Sequence, residues 1–283
     1  MTGVELGIVT DSASELSVEM AAEWGVGMVP LYITLDGQRY RDRVELSPEA
    51  LVAALRRGAQ PTTSPPEIED FVEVYRRYLK HYDYLISIHL SGALSETVQR
   101  AQAAAEQVAP HRIRVIDSRA VSGGLGALVL QAAEWIREGR ELEEVLQGVE
   151  EIRERSRFFF TVADLEHLVR GGRLPRVGQA LGEWLGLRPM LTMEKGRLKL
   201  LRPVRDGNQP QALAQAVARS FPGRALRVTI TVADTSREPV EAIKQALTAS
   251  GARIEKGRVT RMGGVAGSHT GPGALAVHAY PVS

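Results

Sequence analysis

The chain of 283 residues is long enough for two domains or one large α/β domain, and it has no cysteine, which excludes disulfides, thiolate nucleophiles and Cys-based metal sites. Its formal net charge of +1 offers little electrostatic attraction to nucleic acid or to an anionic membrane. No apolar run reaches the roughly 18 residues of a membrane span, and the N-terminus lacks a signal-peptide pattern, so we expect a cytoplasmic protein.

Strands and helices are predicted to alternate in the first half of the chain. Apolar runs predict strands at 4–9, 27–33, 84–90 and 113–116. Helical spacing and capping signals predict helices that begin near 14–17 and at 48–57, 67–80, 94–107, 121–137 and 141–154. Asp36-Gly37 is a hairpin signal, and segment 59–66 is predicted as a loop. The alternation predicts an α/β fold with a parallel sheet and helices on both faces.

The pattern changes after Arg157. Short strands are predicted at 158–162, 226–232, 253–258 and 274–280, together with a hairpin at 189–204. Helices are predicted at 164–169, 176–185, 210–220 and 239–249. We therefore divide the chain into an N-terminal α/β domain, 1–157, and a C-terminal mixed α/β domain, 158–283.

Polar residues follow three of the strands predicted in the first half. They are Thr10-Asp11-Ser12, the segment 91–95 and Asp117-Ser118. Ligands of an open parallel sheet bind beyond the carboxyl ends of its strands, so we expect these segments to lie on one edge. Segment 61–66, PTTSPP, leads into a predicted helix, and a helix N-terminus attracts an anion such as a carboxylate or a phosphate.

The hydroxyl residues of these segments have competing structural roles. Ser64 stands three residues before Glu67 with two prolines between them, which is a capping-box pattern and favours a capping role for Ser64. Thr63 has no such role and is free to face a ligand. Ser91 is a candidate cap for the helix predicted at 94, whereas Ser95 would lie in its first turn without a structural duty.

Two glycine-containing segments of the second half carry charged or polar groups. Gly171-Gly172-Arg173 is either a helix C-cap or an exposed fork able to hold phosphate or a partner's carboxylate. His269 lies among glycines, which would let a loop close over a bound group. The six histidines are not paired at a metal-binding spacing such as H-E-x-x-H, so we expect no metal site.

Seven motifs in order make the chain resemble the DegV family of bacterial fatty-acid-binding proteins over essentially its whole length. They are IVTDSASEL near the start, TTSPP at 62–66, SGALSETVQRA at 91–101, VIDSRAVSGG at 115–124, DLEHLVRGGRL at 164–174, LRPML at 187–191 and GSHTGPGALAV at 267–277.

The resemblance implies a two-domain α/β protein with one long-chain, palmitate-like acyl group buried between the domains. The residues that bind the carboxylate in the family fall on Thr63, Ser95 and His269, and the arginine of its glycine-glycine-arginine motif falls on Arg173. The resemblance further implies an acyl carrier without catalysis or a cofactor of its own, with at most transient membrane contact. Better-studied members of the family hand the acid to a fatty acid kinase related to dihydroxyacetone kinase, and the acyl phosphate feeds phospholipid synthesis.

An acyl ligand of this kind needs an apolar lining and a satisfied head group. Candidate lining segments are 28–33, 125–130, 158–162 and 185–193. Hydroxyl donors and a histidine N–H, including that of an imidazolium, would satisfy a carboxylate that is costly to bury unpaired. Leu90, Pro65 and Glu96 depart from the family pattern, and the carboxylate of Glu96 would repel a bound carboxylate unless it faces solvent.

Three other functions share some of these features. A serine hydrolase would use Ser95 or Ser91 as nucleophile and His269 as base, but the chain lacks a G-x-S-x-G elbow and a residue marked to orient the histidine. A nucleotide-binding module would need a glycine-rich phosphate motif that is absent. A lipid-sensing regulatory protein would use the same site as a carrier.

Overall fold

The computed structural model describes residues 4–174, 186–233 and 236–282, and the helix predicted at 176–185 lies outside these residues. The strands are β1 (Leu6–Asp11), β2 (Val26–Val29), β3 (Tyr32–Leu35), β4 (Gln38–Arg41), β5 (Thr62–Ser64), β6 (Tyr84–His89), β7 (Ile113–Asp117), β8 (Arg157–Thr161), β9 (Leu187–Glu194), β10 (Arg197–Arg205), β11 (Ala225–Val232), β12 (Arg253–Arg261) and β13 (Leu275–Pro281). The α-helices are α1 (Val18–Trp24), α2 (Pro48–Arg56), α3 (Ile68–Tyr78), α4 (Thr97–Val108), α5 (Gly123–Arg137), α6 (Leu142–Arg155), α7 (Glu166–Arg170), α8 (Gln209–Ser220), α9 (Glu238–Ala249) and α10 (Gly264–Thr270).

Four parallel strands form the N-terminal sheet in the order β2-β1-β6-β7. Helices α3 and α4 cover one face, where Val9, Phe71 and Ala101 pack together. Helix α5 packs on the other face through Leu125 and Leu128, which belong to the same apolar cluster as strand residue Ile88. The predicted parallel sheet with helices on both faces is confirmed. The strand order reverses between β1 and β6, which is the point where an open sheet leaves a crevice for a ligand.

Six strands form the C-terminal sheet in the order β10-β9-β8-β13-β11-β12. The pair β11 and β12 is parallel and the other pairs are antiparallel, so the predicted mixed sheet is confirmed. Helices α8 and α9 pack on one face beside Val277. Phe158 and Phe160 point to the opposite face, where α5 of the N-terminal half lies against β11 and β13. The predicted domain boundary at 157/158 falls at the start of β8 and stays a prediction.

A third, three-stranded antiparallel sheet has the order β4-β3-β5. Its strand β5 lies within segment 59–66, which was predicted as a loop. The run predicted as one strand at 27–33 divides into β2 and β3 around Pro30, since proline has no N–H for a sheet. Asp36 and Gly37 have φ of 51° and 80° and form the predicted hairpin turn between β3 and β4. Thr63 of β5 pairs with Ile33 of β3.

Three local predictions around the polar segments are wrong. Glu67 caps α3 in a capping box with Asp70, whose carboxylate accepts from the Glu67 N–H at 2.7 Å, so Ser64 in β5 is not the cap. Helix α4 begins at Thr97, so Ser95 precedes it and does not lie in its first turn. The glycine-rich segment around His269 forms helix α10 and is not a loop.

Candidate functional site

A mostly apolar cavity lies between the carboxyl edge of the N-terminal sheet and the inner face of the C-terminal sheet. Its empty space is about 700 Å³, including the part open to solvent. The side chains that line it are Leu31, Thr63, Ser64, Pro65, Leu90, Leu94, Ser95, Val121, Ser122, Phe158, Phe160, Leu168, Arg173, Leu198, Met262, Val265, Ala266, His269, Thr270 and Ala276.

Thr63 and His269 meet in this cavity across 206 positions of the chain. Strand β5 holds Thr63 through its pairing with β3, and α10 carries His269 near its C-terminal end. The distance between Thr63 Oγ1 and His269 Nε2 is 2.7 Å. His269 Nδ1 has no hydrogen-bond partner within the described ranges. The pair therefore joins the two halves of the chain and leaves one ring nitrogen unused.

Burial keeps the His269 ring neutral. It lowers the pKa of His269 to about 3, and the positive charges of Arg173 and His167 add to this effect. At neutral pH His269 is therefore an imidazole with one N–H, and its donation to a bound carboxylate, as imidazole or imidazolium, stays a prediction.

Arg173 lies beside His269 at the end of the glycine-glycine-arginine segment. Its guanidinium donates from Nη1 to the carbonyl of Gly171 at 2.6 Å and from Nε to the carbonyl of Leu94 at 3.2 Å. Burial lowers its pKa. No carboxylate of the described residues forms an ion pair with Arg173, so its charge is not neutralised from that part of the chain.

The serines predicted as ligand contacts separate into two groups. Ser95 and Ser64 line the cavity, and the Ser95 hydroxyl lies 2.8 Å from that of Thr97. Ser91 does not line it: its buried hydroxyl donates to the carbonyl of Gly196, at the tip of the β9–β10 hairpin, at 2.7 Å. Thr63, Ser95, Arg173 and His269 all line this cavity, and we call these four residues the polar cluster.

The three departures from the family pattern are accommodated. Leu90 and Pro65 line the cavity as apolar residues. The Glu96 side chain is 76% exposed and lies 3.7 Å from Arg100, so its carboxylate faces solvent and does not oppose an anion in the cavity.

Two of the four predicted lining segments reach the cavity. Leu31 comes from 28–33, and Phe158 and Phe160 come from 158–162. Segment 125–130 lies within the N-terminal core, and no described residue of 185–193 lines the cavity. The sequence reasoning missed the apolar lining supplied by α10 and by Met262 just before it, although Met262, Val265, Ala266 and His269 stand at helical spacing.

The hydrolase alternative gains no support from the geometry. The chain does contain a linked Asp–His–Ser arrangement: His89 lies 3.0 Å from Asp11 and 2.7 Å from Ser87. All three are fully buried, and the Ser87 hydroxyl is bonded to that of Tyr75 at 2.8 Å, so no substrate reaches it. The hydroxyl that contacts His269 belongs to a threonine.

Residues 4–174, 186–233 and 236–282 contain no group of three side chains arranged to hold a metal ion. No helix in the same ranges is long and apolar enough to cross a membrane.

Two α/β halves that enclose an apolar cavity with one polar cluster define a class of proteins suited to an amphipathic ligand. The chain belongs to the DegV family of uncharacterised proteins, whose profile matches residues 5–282. A DegV domain-containing protein of Deinococcus radiodurans is 36% identical and covers 99% of this chain and 100% of its own.

Solved structures of the family are closely similar. A fatty-acid-binding DegV protein from Thermus thermophilus has a TM-score of 0.91 and 39% identity, and the alignment covers 98% of this chain and 100% of the other. A stearic-acid-binding protein from Eubacterium ventriosum has a TM-score of 0.88 and 25% identity over 98% of each chain.

Proposed function

We propose that this protein binds one long-chain, palmitate-like fatty acid in the cavity, with the carboxylate held by Thr63, Ser95 and His269. The observation that carries the proposal is the contact between Thr63 and His269 in an otherwise mostly apolar cavity. Ser64 lines the cavity beside Thr63 and is a secondary contact. Ser91 is a weaker candidate, because its hydroxyl already donates to the carbonyl of Gly196.

The two ends of a fatty acid match the two parts of the cavity. Burial of a palmitate tail gains roughly 12 kcal/mol at ~0.8 kcal/mol for each methylene, and association and ordering costs offset part of this gain. The carboxylate must be hydrogen-bonded, because an unpaired buried charge is very costly. Two hydroxyls and one imidazole N–H supply donors, and Arg173 supplies the positive charge that neutral His269 lacks.

The relatives support the same ligand class. The Thermus thermophilus and Eubacterium ventriosum proteins are fatty-acid-binding proteins, and their folds match nearly the whole chain.

The proposal extends to what happens to the bound acid. It makes the protein a cytoplasmic carrier with no catalysis or cofactor of its own, which presents the acid to a kinase related to dihydroxyacetone kinase for acyl-phosphate formation in phospholipid synthesis. Arg173 would contact the kinase or the transferred phosphate, since it is half-buried next to the exposed Gly172. This part rests on the family resemblance.

Native mass spectrometry of the purified protein, followed by extraction and identification of the ligand, tests the binding proposal. We expect one long-chain fatty acid for each chain. Thr63→Ala is expected to weaken palmitate binding about tenfold or more, since it removes a hydroxyl donor worth about 1.5 kcal/mol to a charged group.

Thr62→Ala is the matched control, because Thr62 lies on the same strand, is exposed and pairs with Thr34. It is expected to bind palmitate like the wild type. A wild-type protein that is empty and refuses added palmitate would overturn the proposal, and equal affinity in both variants would remove Thr63 from the site.

A further inference from the structure

Three residues with strained backbones converge on one buried carboxylate. Glu15, Arg43 and Ser122 have φ of 62°, 64° and 58°, a backbone region that residues other than glycine rarely adopt. The Glu15 carboxylate accepts from Ser122 Oγ at 2.9 Å and from Arg43 Nη2 at 2.5 Å. Such strain persists where the surrounding contacts hold it, and it is frequent at functional sites.

The same carboxylate contacts the residue that starts helix α10. The N–H of Gly263, the N-cap of α10, donates to Glu15 Oε2. The hydroxyl of Thr260 donates to the Glu15 carbonyl at 3.0 Å, and Arg43 donates to the carbonyl of Arg261 at 3.4 Å. A Cβ on Gly263 would lie 2.5 Å from Glu15 Oε2, so a larger residue there would displace the carboxylate. The entry to α10 is thus attached to the N-terminal half through Glu15 and Arg43.

Helix α10 supplies part of the cavity wall and the imidazole of the polar cluster. Val265, Ala266, His269 and Thr270 all line the cavity. His269 lies within two turns of the Gly263 contact, so a shift at the start of the helix moves the ring relative to Thr63. The attachment and the Thr63 contact therefore fix α10 at its two ends.

We propose that Glu15 is a positioning residue for the fatty acid site: its carboxylate fixes the start of α10 and so sets the place of His269 opposite Thr63. The proposal rests on the proposed function. A side chain that only filled space here would not need a charge, because a buried carboxylate carries a desolvation penalty that an apolar residue avoids.

The charge also makes the attachment sensitive to pH. The charged groups that face Glu15 are Arg43 and Asp42, and the Asp42 carboxyl lies against Gly264 of α10. Burial raises the pKa of Glu15 to about 7, with Asp42 adding to the rise and Arg43 opposing it. Protonation removes the charge that Arg43 and the Gly263 N–H bind. We therefore expect palmitate affinity to fall as pH is lowered through about 7.

The test compares delipidated wild-type protein with Glu15→Gln, Thr63→Ala and the exposed control Glu19→Gln. Palmitate affinity is measured from pH 6 to 8.5, and amide hydrogen exchange is measured over 263–270. At pH 8 we expect Glu15→Gln to bind about tenfold more weakly than the wild type, with faster exchange in α10 and no inflection near pH 7. Glu19→Gln should match the wild type.

The outcomes separate this proposal from the proposed function. A wild-type protein that does not bind palmitate overturns the proposed function. The positioning role alone is overturned by a different set of results. In that case the wild type binds palmitate and Thr63→Ala binds it more weakly, but Glu15→Gln keeps both the wild-type affinity and the inflection near pH 7. If Glu15→Gln does not fold, Arg43→Gln replaces it: a similar loss of affinity supports the role, and a folded variant with wild-type affinity overturns it.

Discussion

A Cβ on Gly171 would lie 2.3 Å from Nδ1 of His269, so the backbone after α7 touches the imidazole directly. Gly171 has a φ of −71°, which any residue adopts, so this contact and not the turn requires a glycine here. Gly172 has a φ of +72° and nothing within 4 Å of an added Cβ. The two glycines before Arg173 therefore serve different purposes.

Gly171→Ala is expected to displace His269 and weaken palmitate binding about tenfold or more, with a loss of about 1–3 kcal/mol of unfolding free energy from overpacking. Gly172→Ala should lose about 1 kcal/mol through backbone strain and keep its affinity. Palmitate titration and urea unfolding of both variants check this. If Gly171→Ala bound palmitate as tightly as Gly172→Ala and the wild type, the site would tolerate a displaced His269 ring.

His278 is expected to make the protein labile to acid. It is buried with both ring nitrogens unpartnered among the described residues, and burial lowers its pKa to about 4. As pH falls below about 6.5 the unfolded chain takes up a proton that the folded chain refuses, so the unfolding free energy drops by about 3 kcal/mol between pH 6.5 and 4.

His278→Leu should remove the part of the acid-induced loss of unfolding free energy that is due to His278. The similar contribution of His269 remains. Urea unfolding at pH 7, 5 and 4 measures the difference. A variant with the same loss on acidification as the wild type would show that His278 takes up its proton in the folded state at an ordinary pH.

Ala276→Leu is expected to shorten the acyl chain that the cavity accepts. Ala276 of β13 is fully buried, pairs with Phe160 and lines the cavity, so added methyl groups enter the space for the tail. Each methylene that no longer fits loses about 0.8 kcal/mol. Mass analysis of the extracted acids should show shorter chains than in the wild type, and an unchanged profile would place the tail elsewhere.

Arg173→Ala is expected to reduce phosphorylation of the bound acid by a dihydroxyacetone-kinase-like kinase more than it reduces palmitate binding. Arg170→Ala is the matched control, because Arg170 lies on the same segment, is exposed and pairs with Glu166 at 2.9 Å. Kinase-dependent phosphorylation and pull-down with each variant measure the effect. Intact phosphorylation with Arg173→Ala would remove the docking role.

The parts of the fold that repeat a strong local pattern were predictable from the sequence. Strands β1, β6 and β7 alternate with amphipathic helices, and parallel pairing follows from that order. Family motifs selected Thr63, Ser95, Arg173 and His269, and the structure gathers these four residues in one cavity. Their roles in binding stay predictions.

The missed features depend on contacts that are distant in the chain. Strand β5 has three residues followed by two prolines, and it exists because Tyr32 to Thr34 of β3 offer it a partner. Helix α10 contains Gly264 and Gly267, which oppose helix formation, but burial of Val265 and Ala266 against other segments outweighs that propensity. No local pattern indicates either partner.

The position of β13 has a consequence for biosynthesis. This strand lies between β8 and β11 in the middle of the C-terminal sheet, although the ribosome makes it after every other strand described. Until it emerges, β8 and β11 expose unpaired edges, which are prone to join other chains. Ala276, which lines the cavity, is also missing at that stage. Synthesis of β13 therefore completes both the sheet and one wall of the cavity, and a chain stalled before β13 is expected to aggregate through these edges.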